Sequence, residues 1–446
     1  VHNQCANLLL QRAIDKHENN KTLPVAYDFD GGKLVDLPPR GSIDFIYGGP
    51  PCQGFSGINR FKKADDIKNT LIATMVSYAD FYRPDYFLLE NVRGLLATRL
   101  GGKQEGNKVV GGVELGVVKF ILRSLHALGY QTRICIQQAG NQNLAQSRRR
   151  FLVWGAKRGC NLPIFPQPTT CFPMTGSLVI TMKLKGNQTI KYDPVKRSRG
   201  HAPLPAVTVW DALSDLPAFE YVNPHEKSKA VDPLESKVFA NVGVVEKVDT
   251  RGLAKNMPIG RWEREYEAEP LSAFQRRMRT RSKKIVGHVT RPFGKETVER
   301  IASVAMFPKA DHRSLPEPLK PWCLSSKDSA AARHNGWPGL FGRLSFNGHF
   351  STALTAIEPM GKQGTVIHPS QRRVITLREH ARQQGFPDHF IFRADMDNSV
   401  NMEKIKDMHR QVGNAVPPTL AYAIGMGLAD AVLRNANEGV GWGEEV

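Results

Sequence analysis

The stretch "SIDFIYGGPPCQGFSG" (Ser42–Gly57) decides the reading of this chain. Its apolar start, "IDFIY" (Ile43–Tyr47), has the length and branching of a short buried strand. Two glycines and two prolines stop that strand, and a lone cysteine, Cys52, follows directly. Pro50 and Pro51 fix φ at two successive positions and withhold two N–H donors, so Cys52 is held stiffly at the strand's mouth. A thiol there can be packing, a metal ligand or a nucleophile. The other cysteines (5, 135, 160, 171 and 323) are scattered, with no C-x-x-C pair and no histidine at zinc spacing. That pattern argues against a metal site and a disulfide framework, and it suits a reducing compartment.

On either side the chain alternates in α/β fashion. "CANLLLQRAIDKH" (Cys5–His17) has helical apolar spacing, and so does "TLIATMVSYADFY" (Thr70–Tyr82), which ends before Pro84. "YFLLEN" (Tyr86–Asn91) reads as a strand, "VVKFILRSLHALGY" (Val117–Tyr130) as a helix stopped by Gly129, and "TRICIQQA" and "RFLVWGA" (Arg150–Ala156) as further strands. The alternation predicts a mostly parallel sheet covered on both faces. From about Cys160 prolines, glycines and charge clusters break the periodicity through Leu340, a span too long for a loop. It reads as an irregular second domain inserted into the first. "RVITLREHARQQGF" (Arg373–Phe386) and "LAYAIGMGLADAVL" (Leu420–Leu433) are again helical, and "NEGVGWGEEV" is a frayed tail. The boundaries expected are 1–156, 157–357, 358–437 and 438–446.

The 446 residues carry a formal charge of +19. The excess is concentrated in "QSRRR" (Gln146–Arg150), "KRSRG" (Lys196–Gly200) and "QRRMRTRSKK" (Gln275–Lys284), which points to a polyanion, nucleic acid first. No apolar run approaches a membrane span, so no membrane partner is expected.

In a doubly wound sheet ligands sit beyond the carboxyl ends of the strands. Cys52 follows one such end, and Glu90, in "LLENV", closes the next apparent strand, where burying a charge is costly. Two neighbouring strands would thus deliver a thiol and a carboxylate into one crevice. Arg148 and Arg150 would share one side of an extended backbone, aimed at one anionic or polar ligand.

"GGPPCQGFSG", "ENVRGLL", "AQSRRR" and "RQVGNAVPP" (Arg410–Pro418), in this order, resemble the DNA cytosine-5 methyltransferase family. "RHNGWPGLFGRL" (Arg333–Leu344) and "EPMGKQGTVIHP" (Glu358–Pro369) are similar to its large eukaryotic maintenance-type branch, in a fungal-type or related lineage. The resemblance implies a Rossmann-like S-adenosylmethionine-dependent methyltransferase fold with an inserted target-recognition domain. It implies methyl transfer to C5 of cytosine in double-stranded DNA, with the base flipped out, and an epigenetic role in the nucleus. It assigns the attack on C6 to Cys52, the base's N3 and N4 edge to Glu90, and the carbonyl O2 to Arg150. Arg148 would support the Cys52–Glu90 geometry. Cofactor contacts would come from Gln4, Cys5, Pro51, Asn414 and Val416. The "GFSGINRFKKADDIKN" loop, through Arg60, Lys62 and Lys63, would contact DNA phosphates, as would Arg276 and Arg277.

Two departures qualify the match. The family's Gly-rich cofactor loop and its acidic ribose contact are absent, and Gln4 replaces an acidic residue. The chain is therefore expected to start after that loop, to bind cofactor poorly alone, to be inactive alone, and to lack upstream regulatory modules. In "NQNLAQ", Asn143 stands in a glycine slot and Gln142 in a tyrosine slot. Asn tolerates positive φ best after glycine, so the turn should survive. The cluster Trp322, Cys323, Leu324, Trp337 and Leu340 is either a receptor for a 5-methylcytosine methyl or a small core. The competing readings are a tRNA cytosine methyltransferase of the same fold and an inactive DNA-binding relict.

Overall fold

The computed structural model describes residues 25–27, 34–36, 38–51, 55, 71–105, 108–173, 177–184, 188–194, 202–223, 245–250, 257–334, 336–361, 364–394 and 401–438. The expected helix Cys5–His17 and the tail 439–446 lie outside them, as do Gln4, Cys5, Cys52, Arg60, Lys62 and Lys63.

Among the described residues the main sheet has four strands: β1 (Phe45–Gly48), β2 (Tyr86–Val92), β3 (Tyr130–Gln138) and β4 (Arg149–Lys157), in the order β1-β2-β4-β3. Helix α1 (Leu71–Tyr82) crosses from β1 to β2, and α2 (Gly116–Ala127) precedes β3. The β1–β2 pair is parallel, as that crossover requires, but β2–β4 and β4–β3 are antiparallel. This corrects the expectation of a mostly parallel sheet. The chain passes from β3 to β4 through residues 139–148 alone, too short a connection to carry it back for parallel pairing.

Side-chain alternation sorts the sheet into two faces. Phe87, Leu89, Ile134, Ile136, Phe151 and Val153 pack against Ile72, Met75 and Ala79 of α1 and Val117, Ile121 and Leu125 of α2. Tyr86 and Ala156 face the other way, toward Ala431, Leu428 and Val432 of the C-terminal helix. Leu152 and Trp154 join a larger core with Phe219, Phe274, Phe341 and Phe350 from the middle of the chain and with Leu420 and Ile424. One continuous core therefore runs under sheet, middle segment and C-terminus.

The middle segment consists of two-stranded ladders and short helices, among them α3 (Val209–Leu213) and α4 (Ala273–Arg279), each started by a capping box. Three helices follow: α5 (Leu377–Gln384), α6 (Met402–Asn414) and α7 (Pro418–Asn437). Sequence periodicity anticipated α5 and α7 but missed α6. By length and composition the stretch Met402–Asn437 is apolar enough to cross a membrane, contrary to the sequence expectation. Ala415, extended at ψ 148°, and Pro417 break it into two helices, and α7 turns Leu420, Ile424 and Ala431 to the core while Tyr422, Met426 and Leu433 stay exposed.

Candidate active site

The carboxyl ends of β1 and β2 lie side by side, with Gly48 opposite Leu89. Gly49 therefore passes directly over Glu90. A Cβ there would lie 3.0 Å from Glu90 Oε2, so a residue without one lets the "GGPP" turn close on the carboxylate. The next side chain of β2, Asn91, donates from Nδ2 to the Pro50 carbonyl at 3.1 Å and accepts from the Val92 N–H at 2.8 Å. Asn91 thus ties the turn that leads to Cys52 to the strand that carries Glu90.

Glu90 lies opposite Leu152 in the antiparallel ladder, and Val92 lies opposite Arg150. Glu90 and Arg150 are diagonal neighbours on one face, within reach of two long side chains. Arg150 Nε meets Glu90 Oε1 at 2.7 Å, with side chains only 10% and 17% exposed. Its Nη1 donates to the Arg149 carbonyl at 2.9 Å. A carboxylate accepting from a guanidinium where little water reaches is preorganised to meet a polar planar ligand, one group accepting and the other donating.

Arg148 departs from its expected place. It precedes β4, and its backbone is pinned to β3: its N–H donates to Gln138 Oε1 at 2.7 Å, and its carbonyl accepts from the Ala139 N–H at 2.9 Å. The guanidinium is directed to the carbonyls of Ala353 (3.2 Å), Gly413 (3.1 Å) and Ala415 (2.9 Å). The alternate arginines thus part company, one to the carboxylate and the other to the "GNAV" segment. The stretch carrying them needs the turn at Asn143, which takes φ 61° as expected of Asn in a glycine slot. Gln142 donates from Nε2 to the Gln167 carbonyl at 3.0 Å.

Pro51 and Val416 are half-buried, and Asn414 is exposed at the end of α6. A Cβ on Gly413 would lie 2.3 Å from the Leu354 carbonyl, so glycine lets the helix end pack closely there. Arg276 is exposed on α4. Arg277 is committed internally, donating to the Asn143 carbonyl at 3.0 Å and stacking on Phe274, and burial pushes its guanidinium down. Trp322 is 76% exposed and Cys323 is also exposed, whereas Leu340 is buried, so the cluster around them is no closed core.

Sequence reasoning passed over Asn91, Gln146 and Gln384. Gln146 was visible inside "AQSRRR", where attention to charge hid it. Gln384 sits in a wholly buried yet mostly polar helix, and that contradiction between composition and burial exists only in the fold.

Residues 3–429 match the family model described as C-5 cytosine-specific DNA methylase. The chain is 33% identical to DNA (cytosine-5)-methyltransferase 1B of rice over 96% of its own length and 25% of that protein. It is also 33% identical to DNA (cytosine-5)-methyltransferase 1 of mouse over 90% of its length and 24% of that protein. The Dnmt2 methyltransferase of S. pombe superposes with a TM-score of 0.36 and 13% identity, covering 90% of this chain and 86% of that one. The chain spans about a quarter of the length of the curated relatives it matches. With the family model matched from end to end of the α/β frame, the chain belongs to the C-5 cytosine-specific DNA methylases.

Proposed function

We propose that this protein transfers a methyl group to C5 of cytosine in double-stranded DNA, and that the crevice between β1 and β2 receives a flipped-out base. The observation that carries this reading is the largely buried Glu90–Arg150 pair beside the "GGPP" turn. Cytosine C5 is a weak nucleophile. A thiolate from Cys52 adds to C6 and makes C5 enamine-like. Glu90 holds the N3 and N4 edge and Arg150 the O2, offsetting negative charge as it builds in the ring. C5 takes the methyl group, then loses its proton, and the thiolate leaves to restore the double bond. The reacting base must leave the stack, because C6 is unreachable inside a duplex.

Family membership implies S-adenosylmethionine, which when bound supplies the methyl group. The described residues fit it in part. Pro51 sits at the turn, and the close packing of Gly413 leaves Asn414 exposed with an amide to offer. Gln4 and Cys5 would complete the contacts. Residues 157–357 act as the target-recognition segment, with Arg276 on a phosphate. Arg60, Lys62 and Lys63 of the loop after Cys52 contact further phosphates, and the enzyme works in the nucleus.

The test uses the full-length protein and a duplex carrying 5-fluorocytosine at the target position. Cofactor and enzyme should give a stable covalent adduct through Cys52, absent in Cys52→Ala. An adduct-free wild type that binds DNA would favour the inactive relict, and methyl transfer to tRNA alone would favour the tRNA enzyme. The exposed Trp322 supports a second role, reception of a methyl group on the partner strand. A rate ratio of one between hemimethylated and unmethylated duplexes would remove that role.

A further inference from the structure

Gln146 and Gln384 are both fully buried, and together they use all four of their N–H donors and engage both carbonyl oxygens. Gln146 donates from Nε2 to the Gln383 carbonyl at 2.9 Å and to Gln384 Oε1 at 2.7 Å, while its Oε1 accepts from the Ala353 N–H at 2.7 Å. Gln384 donates from Nε2 to the carbonyls of Val412 at 3.1 Å and Ala415 at 2.6 Å. Ala415 is also the acceptor for Arg148. The peptide groups at Ala353 are held from both sides, through the N–H by Gln146 and through the carbonyl by Arg148. The same arm runs beside residues 350–352: the Ser147 N–H donates to the Phe350 carbonyl at 2.9 Å, and Thr352 Oγ1 donates to the Ser147 carbonyl at 2.8 Å.

Three stretches distant in sequence therefore meet in one buried polar junction, with the end of α5 as its keystone. One stretch leads within two residues to Arg150 and its partner Glu90. Another carries Asn414 and Val416 on either side of the doubly bonded Ala415 carbonyl. Neither arm can shift without breaking buried bonds to the other, and each unpaired group left behind would be expensive.

We propose that Gln384 is a positioning residue that couples the base-binding arm, Arg148–Arg150, to the turn carrying Asn414 and Val416, so that filling either site favours filling the other. This rests on the function proposed above. Gln384 touches neither ligand. It acts by holding the Ala415 carbonyl and Gln146 in one arrangement, and such linkage is reciprocal.

The experiment measures the dissociation constant of S-adenosylhomocysteine for the full-length enzyme with and without a duplex containing the target cytosine. Wild type should bind on the order of tenfold tighter with the duplex present. Gln384→Met, similar in length but without an amide, should bring that ratio to within about twofold of one. Val298→Ala, a core substitution outside the junction, serves as the control and should lower the melting temperature while keeping the ratio. A purely structural Gln384 would behave like that control, and an unchanged ratio in Gln384→Met overturns the proposal. A wild-type ratio of one overturns it too. If Gln384→Met does not fold, Thr352→Val removes one rim bond and should at least halve the ratio, and full retention is the overturning result. A wild type that forms no adduct with 5-fluorocytosine DNA marks instead a failure of the proposed function, whatever the ratio.

Discussion

The sheet and the polar junction beside it are both buried, yet they are held by opposite means. Under the sheet Phe87, Leu89, Ile121 and Val153 have no polar side-chain atoms to satisfy, and burial alone keeps them in place. Helix α5 reads "LREHARQQ", and all of its residues are buried. Arg382 there bonds both Asp215 and Asp388, Nε reaching Asp388 Oδ1 at 2.9 Å, with no side chain of the three exposed. Glu379 closes the helix's capping box and takes Arg373 in two bonds of 2.7 and 2.8 Å. Burial alone would push Glu379 up, but Arg373 more than offsets this and holds it well below the carboxylate range. Non-directional burial tolerates changes of shape. A satisfied ionic network tolerates little, because each deletion strands a partner.

The sharpest way to break this contrast is Arg382→Met, which leaves buried Asp215 and Asp388 with only the longer ion pairs to Arg279 (3.6 Å) and Arg378 (4.0 Å). Chemical denaturation should show a loss of about 3–5 kcal/mol. A loss near that of a sheet methyl group would erase the distinction. At the ligand end of the same sheet, Glu90→Gln should cost little stability, since the isosteric amide keeps an oxygen for the buried Arg150, which also keeps its bond to the Arg149 carbonyl. Steady-state turnover by the full-length enzyme should fall about 10²–10³-fold, the usual effect of removing one group aimed at developing charge.

Acid should find the junction before the sheet. Burial pushes His409 down to about 3, Arg291 adding to the shift, and pushes His288 down to about 4, with Glu379 opposing in part. Both stay neutral when folded but take up a proton near pH 6.5 once unfolded. Their contribution is complete above that pH and is lost as pH falls toward the folded values. Each should cost about 1.4 kcal/mol per pH unit below 6.5. The unfolding free energies of wild type and His409→Asn should therefore lie closer together at pH 5.5 than at pH 7 by about 1.4 kcal/mol, because the substitution removes one of these protons. The smallest effect belongs to the sheet: Ile121→Val should cost about 1 kcal/mol at either pH.

Much of the frame was legible in advance because it follows local rules. The apolar runs at 43–47, 86–91 and 150–156 became strands within a residue or two. The last two are largely buried, but the first is only half-buried and leaves Tyr47 exposed, which corrects the expectation of a buried strand there. Pairing direction was not legible, because it depends on where a short connection lets the chain turn back. Glu90 announced itself as a charge ending an apolar strand. The divergence of Arg148 from Arg150 could not be anticipated, because it depends on carbonyls more than 200 residues away.

What the sequence by itself determined is the inventory and its local geometry. It supplied strands that stop at glycine and proline, a carboxylate at a strand end, a turn that Asn143 can make, and the strings that mark the family. Only the tertiary structure decided which of these meet. It matched Glu90 with Arg150 across a ladder, turned Arg148 toward the "GNAV" segment, and buried a polar helix as the joint between them. The physical reason is that apolar burial is written residue by residue, whereas a hydrogen bond between distant segments exists only once both have been brought to within 3 Å.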